Sequence, residues 1–227
     1  MCAQDNTYQH QTTAPGIVFV VGMASEKRIV ASLGRVLVGT ADLASALRER
    51  PAGVISFGMC GGLDPALLVG DLLIADGVVT GGRRIAACAA WNDALGAGLP
   101  KARRGDIAAG DAIVGSVDAK AALWRTTGAA CVDMESHQVA LAAEAVDIPF
   151  AVVRAVSDPA TRALPPSALA GFKIGPTADG ESDVDAVLRA LARRPWELPA
   201  LIQTAMDSAK AIRSLRRAAK ALTKRPP

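Results

Sequence analysis

Two short apolar runs with β-branched residues, Ala129 to Val132 and Phe150 to Val156, flank an alanine-rich helical stretch from His137 to Val146. The runs read as buried strands. A strand, a helix and a second strand in this order predict two parallel strands joined by a right-handed crossover, so that both end on the same edge of a sheet. Each run leads into an acidic motif, Val132-Asp133-Met134-Glu135-Ser136 and Arg154-Ala155-Val156-Ser157-Asp158-Pro159. Glu135 and Asp158 are therefore expected to converge on the crevice where open α/β sheets bind ligands. Two carboxylates there fit polar recognition or acid/base chemistry. Each also has a structural reading: Glu135 can open a helix, favoured by the dipole, and Asp158 can begin a turn before proline.

The rest of the chain fits around this unit. Ile17 to Val21 reads as a buried strand, Gly22 as a turn, and Ser25 to Leu33 as a helix with Gly34 just past its end. Arg35 to Val38 reads as a strand and Asp42 to Arg50 as a helix, leading through Pro51 to a strand at Val54 to Phe57 and a glycine loop. Residues 1–16 are polar and irregular and read as a flexible tail, with a single domain over 17–227. Arg162 to Asp185, rich in Pro, Gly and Ser, reads as a loop or lid.

Composition excludes several classes. With 227 residues, 51% of them hydrophobic, the chain can bury one substantial α/β core. No apolar stretch is long enough to span a bilayer, and the first residues lack a signal-peptide pattern, so a cytoplasmic location is expected. Cys2, Cys60, Cys88 and Cys131 have no paired ligand spacing and the histidines are only His10 and His137, so no metal site is expected and the cysteines read as reduced thiols. A net charge of +3 and a pI near 8.8 are too mild to argue nucleic-acid binding.

Four segments carry a resemblance, in order along the chain. They are Ser56-Phe57-Gly58-Met59-Cys60-Gly61-Gly62-Leu63, Gly70-Asp71-Leu72-Leu73-Ile74-Ala75, Gly110-Asp111-Ala112-Ile113-Val114-Gly115-Ser116-Val117 and the acidic pair. Together they resemble the nucleoside phosphorylase and methylthioadenosine/adenosylhomocysteine nucleosidase superfamily. The resemblance implies a three-layer α/β/α domain with a central mixed sheet, homo-oligomerisation, no cofactor beyond phosphate as a co-substrate, and cleavage of a purine nucleoside. In that chemistry positive charge builds on the sugar and negative charge on the leaving base. Glu135 would accept hydrogen bonds from two ribose hydroxyls, with Met134 against the sugar face, and Asp158 would protonate the purine, oriented by Ser157. Ile113 and Val114 would border the base. Arg154 reads equally as a site residue or a structural ion pair.

Two nucleophiles stay open. Phosphorylases of this superfamily bind phosphate at the segments matching Gly22, Lys27, Arg28, Gly58 and Met59, although Met59 stands where relatives carry a small polar residue. In the hydrolytic branch a glutamate on the first helix activates water. An ungapped alignment on Gly22 puts Lys27 at that glutamate, whereas alignment on Ile29 and Val30 puts Glu26 there; phosphate is the favoured acceptor at this point.

The stretch from about Gly77 to Ala109 is shorter than the aromatic-containing loop near the 5′ substituent in small nucleosidases, and Ile113 replaces a stacking aromatic. An aliphatic surround suits a bulky apolar 5′ group. Ser157 to Ala160, Leu164-Pro165-Pro166 and Arg194-Pro195-Trp196-Glu197-Leu198-Pro199-Ala200-Leu201 resemble the hopanoid-biosynthesis-associated phosphorylases. That resemblance implies release of adenine from adenosylhopane; the alternatives are a methylthioadenosine/adenosylhomocysteine nucleosidase and a catalytically silent nucleoside-binding protein. The final helix carries Leu201, Ala205, Ser208, Ile212, Leu215, Ala219 and Leu222 at spacings of three and four, with Lys210, Arg213, Arg216, Arg217, Lys220 and Lys224 elsewhere around it. Such a basic amphipathic helix either docks peripherally on the inner face of the membrane or packs on the domain.

Overall fold

The computed structural model describes residues 16–172, 182–224 and 227; residues 1–15 of the expected tail and the middle of the expected lid lie outside them. The chain runs β1 (Ile17–Val21), α1 (Ala24–Val30), β2 (Arg35–Val38), α2 (Leu43–Arg48), β3 (Gly53–Gly62), β4 (Leu72–Thr80), β5 (Arg83–Ala86) and α3 (Ala89–Gly98). It continues with β6 (Arg103–Ala109), α4 (Val117–Thr127), β7 (Cys131–Asp133), α5 (Ser136–Ala145), β8 (Phe150–Asp158), α6 (Pro166–Leu169) and α7 (Val184–Arg193). A 3-10 turn (Pro195–Glu197) then leads into α8 (Leu198–Lys224).

Strand order is β2-β1-β3-β7-β6-β4-β5, and β8 pairs with both β3 and β4. The strands β3, β7, β6, β4 and β8 thereby close a ring within a mixed sheet. Alternation along β1 explains the layering: Val18 and Val20 face one core, Phe19 and Val21 the other. The first core is covered by α2 and α5, the second by α1, α3 and α8. This is the three-layer mixed α/β arrangement expected from the sequence.

Three expectations are corrected. β7 and β8 are neither paired nor parallel: β8 runs parallel to β3, while β7 runs antiparallel to it. The glycine-rich stretch is not a loop, because β3 continues through Gly62, its backbone held by β8 on one side and by β7 at its end. Gly77 to Ala109 forms the end of β4, β5, α3 and β6, and none of it lines the pocket described below.

Along α8, Ala211, Leu215, Ala218, Ala219 and Leu222 are buried in the second core. The C-terminal part of the apolar stripe thus packs on the domain, and no helix among the described residues is long and apolar enough to cross a membrane.

Candidate active site

The site forms where the end of β3 is clasped between two strands. Gly61 pairs with Val132 of β7 on one side and with Asp158 of β8 on the other. Both acidic motifs therefore reach one place through a third strand, not through parallel ends. Over this junction lies a pocket. Gly22, Met23 and Glu26 line it from the β1–α1 turn, Met59 to Gly61 from β3, and Ala112 to Val114 from the β6–α4 connection. Val132 to Glu135, Arg154, Ser157 and Asp158 form another wall, and Leu164, Phe172, Thr204 and Ser208 complete it.

Glu26 sits in the floor, 2% exposed. As the third residue of α1 it reaches back, in the manner of a capping box, so that Oε2 accepts from the amides of Gly22 and Met23, both at 3.0 Å. A cap alone would leave its other oxygen in solvent. Instead Oε1 accepts from the amide of Met59 at 2.8 Å, tying α1 to β3. Burial pushes the carboxyl up to about 7, against the opposing pull of Arg154.

Arg154 is the buried organiser of the acidic groups. Its guanidinium pairs with Asp133, reaches Glu135 Oε2 at 3.2 Å, and donates to Ser56 Oγ at 2.7 Å and to the carbonyl of Met59 at 3.3 Å. Burial opposes its charge, but Asp133, Glu135 and Glu26 together raise its pKa. Glu135 is itself shifted upward, by burial offset in part by Arg154. A Cβ on Gly58 would lie 2.6 Å from Arg154 Nη1 and 2.7 Å from Glu26 Oε1, and one on Gly22 2.6 Å from Glu135 Oε1. Under about 3 Å something must shift, so a side chain at Gly58 or Gly22 would displace the charged ends of Arg154, Glu26 or Glu135 from their present contacts.

Asp158 faces a cation. Lys120 of α4, fully buried, places Nζ 2.6 Å from Asp158 Oδ2 and donates also to the carbonyls of Pro159 and Arg162 at 3.0 Å each. Three acceptors satisfy an ammonium's three protons. Ser157 Oγ lies 2.9 Å from Asp158 Oδ1 and 3.2 Å from the carbonyl of Cys60, so its single proton can serve either. Burial raises the Asp158 pKa, with Lys120 the chief opposing influence.

The residues picked out from the sequence divide clearly. Glu26, Met134, Glu135, Ile113, Val114, Ser157, Asp158, Gly22 and Met59 line the pocket, and Gly58 lies beneath it against Glu26 and Arg154. Lys27 and Arg28 do not line it; both are exposed on the outer side of α1. Of the two alignments of the first helix, the structure brings Glu26 and not Lys27 into the site. The sequence alone assigns no role to Lys120 or Asp133. Lys120 carried one signal, since it occupies the inner face of α4 with Leu123 and Thr127, where helical spacing calls for an apolar residue.

Comparison with known proteins agrees with this architecture. The phosphorylase superfamily matches residues 2–194. A 5′-methylthioadenosine/S-adenosylhomocysteine nucleosidase of Shewanella pealeana is 28% identical over 180 residues, 68% of this chain and 78% of the relative. The corresponding Shewanella sediminis protein is 29% identical with the same coverage. Among solved structures, the Helicobacter pylori nucleosidase of that name, in complex with butyl-thio-DADMe-Immucillin-A, superposes with a TM-score of 0.63 at 16% identity, covering 93% of this chain and 97% of that one. Futalosine hydrolase of Helicobacter pylori gives 0.56 at 18% identity, covering 64% and 88%. A match across most of the length, in a chain where three of the four ordered motifs line one pocket of a mixed three-layer fold, places this protein in the phosphorylase superfamily.

Proposed function

We propose that the protein hydrolyses the N-glycosidic bond of a 5′-substituted adenosine and releases adenine. The observation that carries this reading is Glu26: a buried carboxylate in the pocket floor, already bonded to the amides of Gly22, Met23 and Met59. Those amides would be the natural ligands of a phosphate at this position, and a second anion against Glu26 would be repelled. Arg154, the nearest cation, is engaged by Asp133 and Glu135. Water is therefore favoured over phosphate, reversing the preference drawn from the sequence.

Each group then has one task. Glu135, held by Arg154, accepts the ribose hydroxyls, and its charge favours the oxocarbenium character of the sugar. The bond from C1′ to the base nitrogen breaks with its electron pair leaving on the purine, and Asp158 delivers a proton to the base. Water adds to C1′ as its proton passes to Glu26, whose pKa of about 7 suits a base near neutrality. Ser157 turns its hydroxyl to the Cys60 carbonyl when Asp158 is protonated and to Asp158 when it is not.

For the 5′ group we propose a bulky apolar substituent, with adenosylhopane as the substrate. Supporting this reading, Leu164 and Phe172 line the pocket wall, and Glu197, within the Arg194 to Leu201 segment of the narrower resemblance, accepts from the Ser167 amide at 2.8 Å, just past Leu164. Methylthioadenosine or adenosylhomocysteine is the alternative, favoured by the names of the relatives. Incubation with adenosylhopane, methylthioadenosine and inosine, with and without phosphate, tests both levels. Full adenine release in phosphate-free buffer with a free ribosyl product is expected. A phosphate requirement with a phosphorylated sugar would overturn hydrolysis; a preference for methylthioadenosine would overturn the lipid substrate, and no base release from any of them would leave only nucleoside binding.

Lys120 offers a separate check on Asp158. Its ammonium favours the ionised carboxyl, so Lys120→Met is expected to raise the Asp158 pKa, and the limb that Asp158 contributes to the pH profile of kcat/KM moves to higher pH. A variant that loses thermal stability with an unshifted profile would reduce Lys120 to a structural ion pair.

A further inference from the structure

The outer face of α8 changes character along its length. Leu198, Ile202 and Met206, four residues apart and hence in one row, are 47%, 52% and 61% exposed, and Trp196 just before them is 72% exposed. The same helical face continues as Arg213, Arg216, Arg217 and Lys220, all exposed. The neighbouring α7 buries no residue and exposes Val184 and Leu188, one turn apart. Scattered exposed apolar residues need no explanation, but a row of this size rimmed by charge marks an interaction surface.

We propose that this face, Trp196, Leu198, Ile202 and Met206 followed by Arg213, Arg216, Arg217 and Lys220, docks on an anionic phospholipid surface. The apolar residues enter the headgroup boundary and the basic residues lie against lipid phosphates, as in interfacial amphipathic helices. Charge decides between this occupant and a second copy of the chain. Residues 184–224 hold nine Lys and Arg against three Asp and Glu, and Asp207 is already paired with Arg162. Two copies meeting through this face would set like charges opposite one another, whereas an anionic bilayer complements them. The docking stripe is thus not the buried one of Leu215, Ala219 and Leu222.

Position gives the surface a use. Thr204 and Ser208, on the side of the same helix turned away from Ile202 and Met206, line the active-site pocket together with Phe172, which is 45% exposed. A protein docked through Ile202 and Met206 holds its pocket on the far side of α8, about 10 Å from the lipid surface, so the adenosine head of a lipid-linked nucleoside can reach it while the far end of its apolar tail stays in the bilayer. This use rests on the lipid-nucleoside reading above; the docking itself does not.

The test is sedimentation of the full-length protein with vesicles of phosphatidylcholine with and without phosphatidylglycerol. Binding is expected only to the anionic vesicles, and should weaken as salt rises from about 0.1 M to about 1 M and the Debye length shrinks from ~10 to ~3 Å. Combined Trp196→Ser, Ile202→Ser and Met206→Ser, and separately Arg213→Gln, Arg216→Gln, Arg217→Gln and Lys220→Gln, should each weaken binding about tenfold or more. Circular dichroism establishes that the variants fold, and both sets are expected to retain cleavage of a short, soluble 5′-alkyl adenosine. Absence of binding to anionic vesicles overturns the proposal, as does equal binding by both folded variants. A dimer that the serine variants dissociate, without vesicle binding by the parent, would make the face a contact between copies. Vesicle binding by a parent that prefers soluble nucleosides would sustain the surface and refute only its use in lipid-substrate access.

Discussion

Glu26→Gln is expected to lower adenine release by about 10²–10⁴-fold, the range typical of losing a positioned base. The amide can still accept at one oxygen, but its NH₂ group must face amide donors now bonded to the carboxylate, from either Gly22 and Met23 or Met59. A stability loss of about 1–3 kcal/mol follows, far smaller in consequence for a folded sample than the rate effect. The pH profile separates the two. A base works ionised, so with the Asp158 proton supplied to bound purine, kcat of the parent should rise with pH through about 7, where burial has placed the Glu26 pKa. That limb should vanish in Glu26→Gln and persist in Glu26→Asp, which keeps a carboxylate. A glutamine variant with near-parental rate and an unchanged limb would return Glu26 to a helix cap and reopen phosphate as the acceptor.

Asp158→Asn is expected to cost a comparable 10²–10⁴-fold in turnover while the protein stays folded. Asparagine is nearly isosteric and can accept from Lys120 through its carbonyl, leaving the three-acceptor arrangement around the ammonium in place. What it cannot do is release a proton to a departing purine. The defect should therefore shrink for a riboside whose leaving group needs no protonation, such as p-nitrophenyl riboside, which releases p-nitrophenolate, and remain full for adenosine derivatives. An equal loss on both would mean that Asp158 positions the sugar or the fold and does not act as the acid.

These expectations rest on residues that the sequence revealed unevenly. Glu135 and Asp158 were legible because each follows an apolar run at once, and a strand end is where a sheet presents polar groups. The route by which they meet was not legible. Local pattern gives strands and helices but not pairing direction, and the strand-helix-strand order pointed to parallel neighbours where the chain instead inserts the end of β3 between antiparallel β7 and parallel β8. Pairing is decided by which backbone edges remain unsatisfied once the whole sheet closes.

The first helix shows the same division. Its existence, its acidic third residue and its basic pair were all written in the sequence, and so was the ambiguity between Glu26 and Lys27. Helical rotation resolved it: one residue of offset turns a side chain by about 100°, and packing of Val30 into the core points Glu26 at Met59 and leaves Lys27 and Arg28 outside. Lys120 lay hidden because it is distant in sequence from Asp158 and a single lysine in an alanine-rich helix reads as a solvated charge.

By itself, then, the sequence determined the strands β1, β2, β3, β7 and β8 and the helices α1, α2, α5 and α8, the three-layer mixed class, the membership carried by ordered motifs, and the two carboxylates past the strand ends. Only the tertiary structure decided which acid reaches the floor of the pocket, that a buried lysine faces Asp158, and which stripe of α8 is left outside. The reason is physical: periodicity specifies what each segment buries, but the electrostatics of a site depend on which distant segments share that buried space.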